Sequence, residues 1–224
     1  MHEDGGDMSK VRVHNFSMSI DGYVAGPDQG PDHPLGIGGH RLHRWVFATR
    51  SFRQMHGLEG DGEEGIDDDF SAQSDHNLGA TIMGRNMFGP IRGPWEDEQW
   101  RGWWGEDPPF HHPVFILTNH PRSSFTMEGG TTFHFVADGI EVALVQARQA
   151  ADGRDVRIGG GASTIRQFLR AGLIDELHVV VVPILLGGGE RLFDGVGDAV
   201  DALEMTEFVP SSEVAHVRFT RTTT

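Results

Sequence analysis

The sequence predicts an α/β fold, and two patterns carry that prediction. From Val114 onward, apolar strand-like runs alternate with segments whose apolar residues recur at helical spacing. Near the end, Val214–Arg221 alternates apolar and polar residues, as a half-buried strand lying antiparallel at a sheet edge does.

Taken in order, Val11–Ala25 has strand character and contains the turn dipeptide Asp21-Gly22. Leu42, Trp45, Val46 and Thr49, followed by Phe52, fit one face of a helix from about Gly39 to Met55. The acidic stretch Glu59–Asp69 reads as a solvated loop, and its ligand spacing does not match a calcium loop. Ala80–Met83 is a short strand running into Gly84-Arg85-Asn86. Pro90–Pro113, rich in Gly, Pro and Trp, reads as a long excursion. Val114–Thr118 and Thr132–Val136 are strands, and Ile140–Ala151 is a helix closed near Gly153. A strand through Val156 and Ile158, a helix carrying Ile165, Phe168 and Leu169, and a strand from Leu177 complete the alternation. The organisation expected is a disordered extension over residues 1–9 and a single domain over 10–224, with a Trp-rich loop at 90–113.

Composition narrows the function. A formal net charge of -15 argues against nucleic acid as the main partner, because a phosphate backbone calls for a basic surface. The chain has no cysteine, which removes disulfides, thiolate catalysis and zinc–thiolate sites. No stretch reaches the length of a membrane span, and Met1–Lys10 lacks the apolar core of a signal peptide, so the expectation is a cytoplasmic protein without a membrane partner.

The segment Asp155–Arg170 carries the strongest functional signal. Gly159, Gly160 and Gly161 lie between a strand and the first turn of a helix that stops near Gly172. Glycine there lets an anion approach the backbone, where free N–H groups and the positive end of the helix favour it. Two readings stay open: a cradle for a nucleotide cofactor, or a tight turn that needs glycine for its dihedrals. The dinucleotide fingerprint of the doubly wound folds does not fit, because Thr164 stands where its third glycine belongs.

Other residues are more ambiguous. Asp21 is a candidate acid or only a turn former. His40 and His43, with Arg44 and Trp45, offer a proton donor or an anion-binding face, or a solvated surface. His111 and His112 are adjacent and lack a carboxylate partner set, so no metal site is expected. Trp95, Trp100, Trp103 and Trp104 could form a lid, line a flat substrate, make a subunit contact, or pack locally.

Five segments in order resemble the dihydrofolate reductase-like superfamily, and within it the branch of the riboflavin-pathway reductase domain. They are Ser17–Ala25, Thr81–Phe88, Ile116–Pro121, Ile158–Ser163 and Leu177–Gly189. The resemblance implies a central mixed, mainly parallel sheet flanked by helices, with C-terminal antiparallel edge strands and NADPH bound across the strand ends. It implies that Gly84, Arg85 and Asn86 meet cofactor phosphates, and that Thr118 and Asn119 flank the adenosine ribose. Ile158, Gly159, Gly160, Gly161, Ala162, Ser163 and Thr164 would hold the pyrophosphate, with Ser17, Val24 and Ala25 near the nicotinamide. The implied activity is hydride transfer from NADPH to a small, heterocyclic substrate, in a homodimer. Two groups of the relatives have no counterpart. His40–Phe47 lacks the carboxylate of the dihydrofolate reductase helix, and Gly159 stands where the riboflavin-branch glutamate falls. Asp21, and His40, His43, Arg44 and Trp45 on the substrate side, are the residues left to act there. A cofactor-binding protein without turnover, or a scaffold on the same fold, stays open beside the reductase.

Overall fold

The computed structural model describes residues 9–89 and 93–222. The expected extension at residues 1–9 therefore lies outside the described residues except for its last residue, as do the first three residues of the Trp-rich loop. The strands are β1 (Val11–Ser19), β2 (Tyr23–Ala25), β3 (Leu78–Gly84), β4 (Pro113–Leu117), β5 (Phe125–Thr126), β6 (Thr132–Val136), β7 (Asp155–Gly160), β8 (Glu176–Val182), β9 (Glu190–Arg191), β10 (Leu203–Pro210) and β11 (Ala215–Arg221). The helices are α1 (Arg44–Ala48), α2 (Arg50–Met55), α3 (Ile66–Ala72), α4 (Arg85–Phe88), α5 (Ile140–Ala151) and α6 (Ala162–Arg170). The main sheet runs in the order β10-β11-β8-β1-β7-β3-β4-β6-β5. Its centre, from β8 to β6, is parallel, and β10, β11 and β5 are antiparallel. This is the expected central mixed, mainly parallel sheet, with antiparallel strands at its edge.

Three sequence expectations need correction. The helix expected over Gly39–Met55 is a 3-10 turn at Gly39–His43 followed by α1 and α2, separated by Thr49 in extended conformation (φ -66°, ψ 148°). Thr49 breaks the helix because Glu63 N–H donates to Ala48 and Arg50 N–H to Glu63, while the Thr49 hydroxyl caps α2 by accepting from Phe52 N–H at 3.3 Å. The apolar face runs through the break, so periodicity alone could not reveal it. The acidic stretch is only partly a loop. Its end enters α3, where Asp67, Asp68 and Asp69 occupy the first turn and favour the positive helix end. Asp68 is buried and accepts from Ser51 N–H at 2.7 Å. Finally, β11 is not the edge strand. It lies between β8 and β10, and β10, whose Met205 and Phe208 are exposed, carries no clean alternation.

One sheet face packs Ala80, Ile82, Val156 and Ile158 against Ala143, Ala147, Ile165 and Phe168 of α5 and α6. The opposite face bears Thr81 and Arg157, which are register partners. A bulge in β1 adjusts this face. Val13 pairs with Leu177 and Phe16 with Val179, so His14 and Asn15 together oppose His178. Asn15 takes φ 54°, a region that asparagine tolerates better than most side chains. A buried polar chain fixes the bulge. Asp67 as a carboxylate only accepts, so His216 donates Nε2–H to its Oδ1 at 2.8 Å. The His216 Nδ1 then accepts His178 Nε2–H at 3.1 Å, and His178 Nδ1 faces the Asn15 N–H at 3.4 Å. Phe70 stacks on His216 with ring centroids 4.0 Å apart.

All three imidazoles of this cluster are held neutral. Burial, reinforced by the cations Arg218 and Arg12, lowers His14 to about 3. Burial, reinforced by the neighbouring imidazoles, lowers His178 to about 2, and burial lowers His216 against the pull of Asp67. In the unfolded chain these groups titrate near 6.5, so below that pH the unfolded state binds more protons and the fold loses stability. The loss begins near pH 6.5 and continues as pH falls toward the depressed folded values. The expected outcome is a Tm lower at pH 5 than at pH 7.5 by about 5 °C or more, with a shallower slope in His178→Gln. Thermal unfolding monitored by circular dichroism across that range checks it, and parallel slopes in the two proteins would contradict the assignment.

Candidate functional site

The cleft of the molecule, about 990 Å³, opens at the C-terminal ends of β1, β7, β3 and β4, and reaches onto the sheet face that bears Thr81 and Arg157. The carboxyl ends of parallel strands are where open α/β sheets receive ligands. Because β3 and β7 are neighbours, with Met83 paired to Gly160, the turns that follow them come together. A Cβ on Gly84 would sit 2.5 Å from the Thr164 hydroxyl, so only glycine permits that approach. Gly160, at φ 118°, has no room either, since a Cβ would meet Phe16 at 2.9 Å. The peptide joining Gly160 to Gly161 is cis. Gly161 differs. Its φ of -73° is open to any residue, and a Cβ there would meet nothing within 4 Å. It N-caps α6 without a side-chain hydrogen bond, and its carbonyl accepts from the Thr164 and Ile165 N–H groups, which leaves the N–H groups of the cleft-lining Ala162 and Ser163 as the unpaired donors of the first turn. A backbone cradle with open space in front of it is suited to an anion.

Arg85 supplies charge at the same mouth. Its guanidinium lies 3.3 Å above the Trp95 ring, and the Arg122 guanidinium lies 4.1 Å from the same ring. The Arg85 Nε and Nη1 are buried without hydrogen-bond partners, and among the described residues Arg85 forms no ion pair. Burial and then the charge of Arg122 lower its pKa. Trp95 is itself anchored, donating Nε1–H to the His120 carbonyl at 2.6 Å, and Trp100 donates to the Phe88 carbonyl at 2.9 Å. Trp104 packs against Phe110 and Phe133. Of the four readings of the Trp-rich loop, local packing accounts for Trp95 and Trp100, whereas Trp103 and Trp104 also line the cleft.

The structure gathers most of the sequence-proposed residues into this cleft. Ser17, Val24, Ala25, Gly84, Arg85, Asn86, Thr118, Asn119, Gly159, Gly161, Ala162, Ser163, Thr164 and His43 line it. Ile158 and Gly160 do not, because Ile158 points into the core with α5 and α6 and Gly160 is buried against Phe16. Trp45 stands behind the wall, where its Nε1–H donates to the Ser17 hydroxyl at 2.9 Å. His40 and Arg44 are exposed and do not line the cleft. His43 is half-buried, and burial lowers it to about 4. Asp21 does not line the cleft. It accepts from the Ser19 hydroxyl at 2.6 Å and from the Leu186 and Gly187 N–H groups, which tie its turn to the loop after β8. The Ser19 hydrogen bond in particular lowers it to about 2. His111 and His112 point apart, with His112 Nε2 2.8 Å from the Thr81 hydroxyl and His111 bonded to the Gly129 carbonyl.

Sequence reasoning missed Asp75 and Arg157, together with the aromatic wall of Phe52, His56 and Phe110. Arg157 alternates with the core residues Val156 and Ile158, so its outward-facing position on β7 was legible. Nothing in the sequence marked what it would face.

Comparison with known proteins follows the same lines. Residues 10–217 match the RibD C-terminal domain family. The riboflavin biosynthesis protein RibD of Bacillus amyloliquefaciens is 32% identical over 119 residues, a match that covers 50% of this chain and 29% of that protein. The putative riboflavin biosynthesis protein of Shewanella sp. PV-4 superposes with a TM-score of 0.54 at 21% identity, over 96% of this chain and 99% of that one. Dihydrofolate reductase of Enterococcus faecalis, solved with NADP(H) and RAB-propyl, superposes with a TM-score of 0.51 at 13% identity, over 95% and 96% of the two chains.

The cradle separates folding from binding at one position. Gly161→Ser introduces a good N-cap residue at an allowed φ, so Tm should change by no more than about 3 °C. Its side chain projects into the open space before the helix end, and anion or nucleotide affinity should fall at least about tenfold. Thermal melts beside binding isotherms of the two proteins check both halves.

Proposed function

The chain belongs to the RibD C-terminal domain family, and from that premise we propose that it is an NADPH-dependent reductase acting on a small heterocyclic substrate. The observation that carries this reading is the Arg85 guanidinium, without a carboxylate partner, beside a glycine turn whose open side is a helix N-terminus. An arginine in that position can donate to phosphate oxygens through Nη2, the guanidinium nitrogen that is neither buried nor bonded, and stays charged at any physiological pH. The second guanidinium of Arg122 adds positive potential, and the Trp95 face stabilises both cations until an anion arrives.

The residues fit a nicotinamide dinucleotide phosphate. Gly84, Arg85 and the Gly161–Ser163 backbone would hold its phosphates, Thr118 and Asn119 its adenosine ribose, and Ser17, Val24 and Ala25 its nicotinamide. Such a cofactor supplies a hydride when bound. Ser17 is held for its place by Trp45, which occupies its hydroxyl oxygen at 2.9 Å. The proton needed beside a hydride comes from water in this reading. Asp21 at about 2 and His43 at about 4 are both deprotonated at neutral pH, so neither is loaded to act as an acid.

NADPH titration, followed by quenching of tryptophan fluorescence, tests the proposal. Saturable binding is expected, weakened at least about tenfold in Arg85→Ala, the range for lost charge-assisted hydrogen bonds. No quenching up to millimolar NADPH would end the reductase reading.

A further inference from the structure

Two polar residues of the cleft lining come from the bulge of β1. His14 and Asn15 together oppose His178, so neighbours that an ordinary strand would send to opposite faces both line the cleft. The bulge holds Asn15 at φ 54°, with its N–H facing His178 Nδ1 at 3.4 Å. Its carboxamide has one orientation. Nδ2 donates to the Phe70 carbonyl at 3.1 Å, and because a carbonyl only accepts, Oδ1 must point elsewhere. Oδ1 is buried and has no hydrogen-bond partner among the described residues. His14 has the same polarity. Its Nε2 lies 3.4 Å from the same carbonyl, so that nitrogen carries the proton of the neutral ring. Its Nδ1 keeps a lone pair without a donor among the described residues.

The cations around the bulge are paired with other groups. Arg12 meets Asp155 at 3.6 Å, Arg157 meets Asp75 at 2.9 Å, and Arg218 meets Glu207 at 3.2 Å. The charges of all three arginines oppose a proton on His14. A cation brought beside Asn15 would meet the same field, and a carbonyl or carboxylate would set lone pairs against lone pairs. A neutral N–H or O–H meets neither obstacle. A buried acceptor without a donor is costly, and since bulk water does not touch Oδ1, a donor reaches it from within the cleft.

We propose that Asn15 is a specificity-determining residue of this cleft, its Oδ1 accepting one hydrogen bond from a neutral N–H or O–H group of the bound molecule, with His14 Nδ1 available as a second acceptor. A molecule that presents only an acceptor at this point is rejected, because it leaves Oδ1 unpaired. Ser17, proposed above for the nicotinamide, follows two residues on, about 7 Å along the strand. The group that Asn15 reads therefore belongs to a molecule bound next to the cofactor ring. Calling that molecule the substrate rests on the reductase reading; the hydrogen bond itself does not.

Phenol and fluorobenzene test this, being flat rings of similar size that differ in a neutral O–H. The aromatic wall of Phe52, His56 and Phe110 suits either ring. Titrations to millimolar ligand, without NADPH, are followed by the protein amide spectrum. The Asn15 side-chain amide reports on the bond directly, because a donor at Oδ1 polarises the carboxamide whose Nδ2 stays on Phe70. Phenol should move that signal and bind at least about fivefold more tightly than fluorobenzene. Benzylammonium, whose donor is cationic, should bind more weakly than phenol. Asn15→Gly suits the positive φ and identifies the signal by its loss. It should bind phenol and fluorobenzene within about twofold of each other. Equal binding of the two rings by the wild type, binding of neither, a phenol complex that leaves the Asn15 signal in place, or a preference that survives in the glycine variant would overturn the proposal. Tighter binding of benzylammonium than of phenol would overturn the neutral class. The wild-type comparison is decisive even where the variant does not fold. A failed NADPH titration would end the reductase reading and leave this comparison standing.

Discussion

The site depends on the pairing of β3 with β7. Adjacent parallel strands deliver their following turns side by side, and here both turns must pass within a side chain's width of each other. Gly84 against Thr164, and Gly160 against Phe16, are the contacts that allow it. Once those backbones are close, the open side of Gly161 and the start of α6 face a single cleft, and Arg85 follows Gly84 to its rim. The cradle, the cationic rim and the reach of the cleft onto the sheet face all follow from this register.

A charge placed at such a rim needs stabilisation before any ligand binds. Trp95 provides it through its ring face, between two guanidinium groups, and its own N–H is tied to the strand end after β4. Arg122 is held in turn by the carbonyls of Glu98 and Trp100. The Trp-rich loop is thus part of the electrostatics of the site as well as part of its packing. A chain whose net charge is -15 can still present a cationic rim, because at physiological ionic strength fields decay over roughly 8 Å and nearby groups dominate.

The other half of the cleft is shaped by buried polar chemistry. The Asp67–His216–His178 chain holds the β1 bulge in one conformation, and with it the His14, Asn15 and Phe16 side chains that line the cleft. Each imidazole donates once and accepts once along the chain, so neutrality and geometry reinforce each other. Similar economy holds at Ser17, whose hydroxyl is positioned from behind by Trp45.

Local patterns in the sequence determined the order of the central strands and helices, the bounds of α5 and the glycine turn before α6, whereas the entry to α4 through Gly84-Arg85 came from the family resemblance. Each of those local patterns is written in residues within a few positions of one another, where periodicity, capping and glycine's dihedral freedom act. The break at Thr49 was not legible, because its cause is a strand-like bond to Glu63, outside the helical window. Only the tertiary structure decided that Asp21 serves a loop, that Trp45 stands behind the wall, and that Asp75 meets Arg157 across 82 residues of sequence. Such meetings are fixed by strand register and by which sheet face a side chain takes, and these are set when distant segments pair.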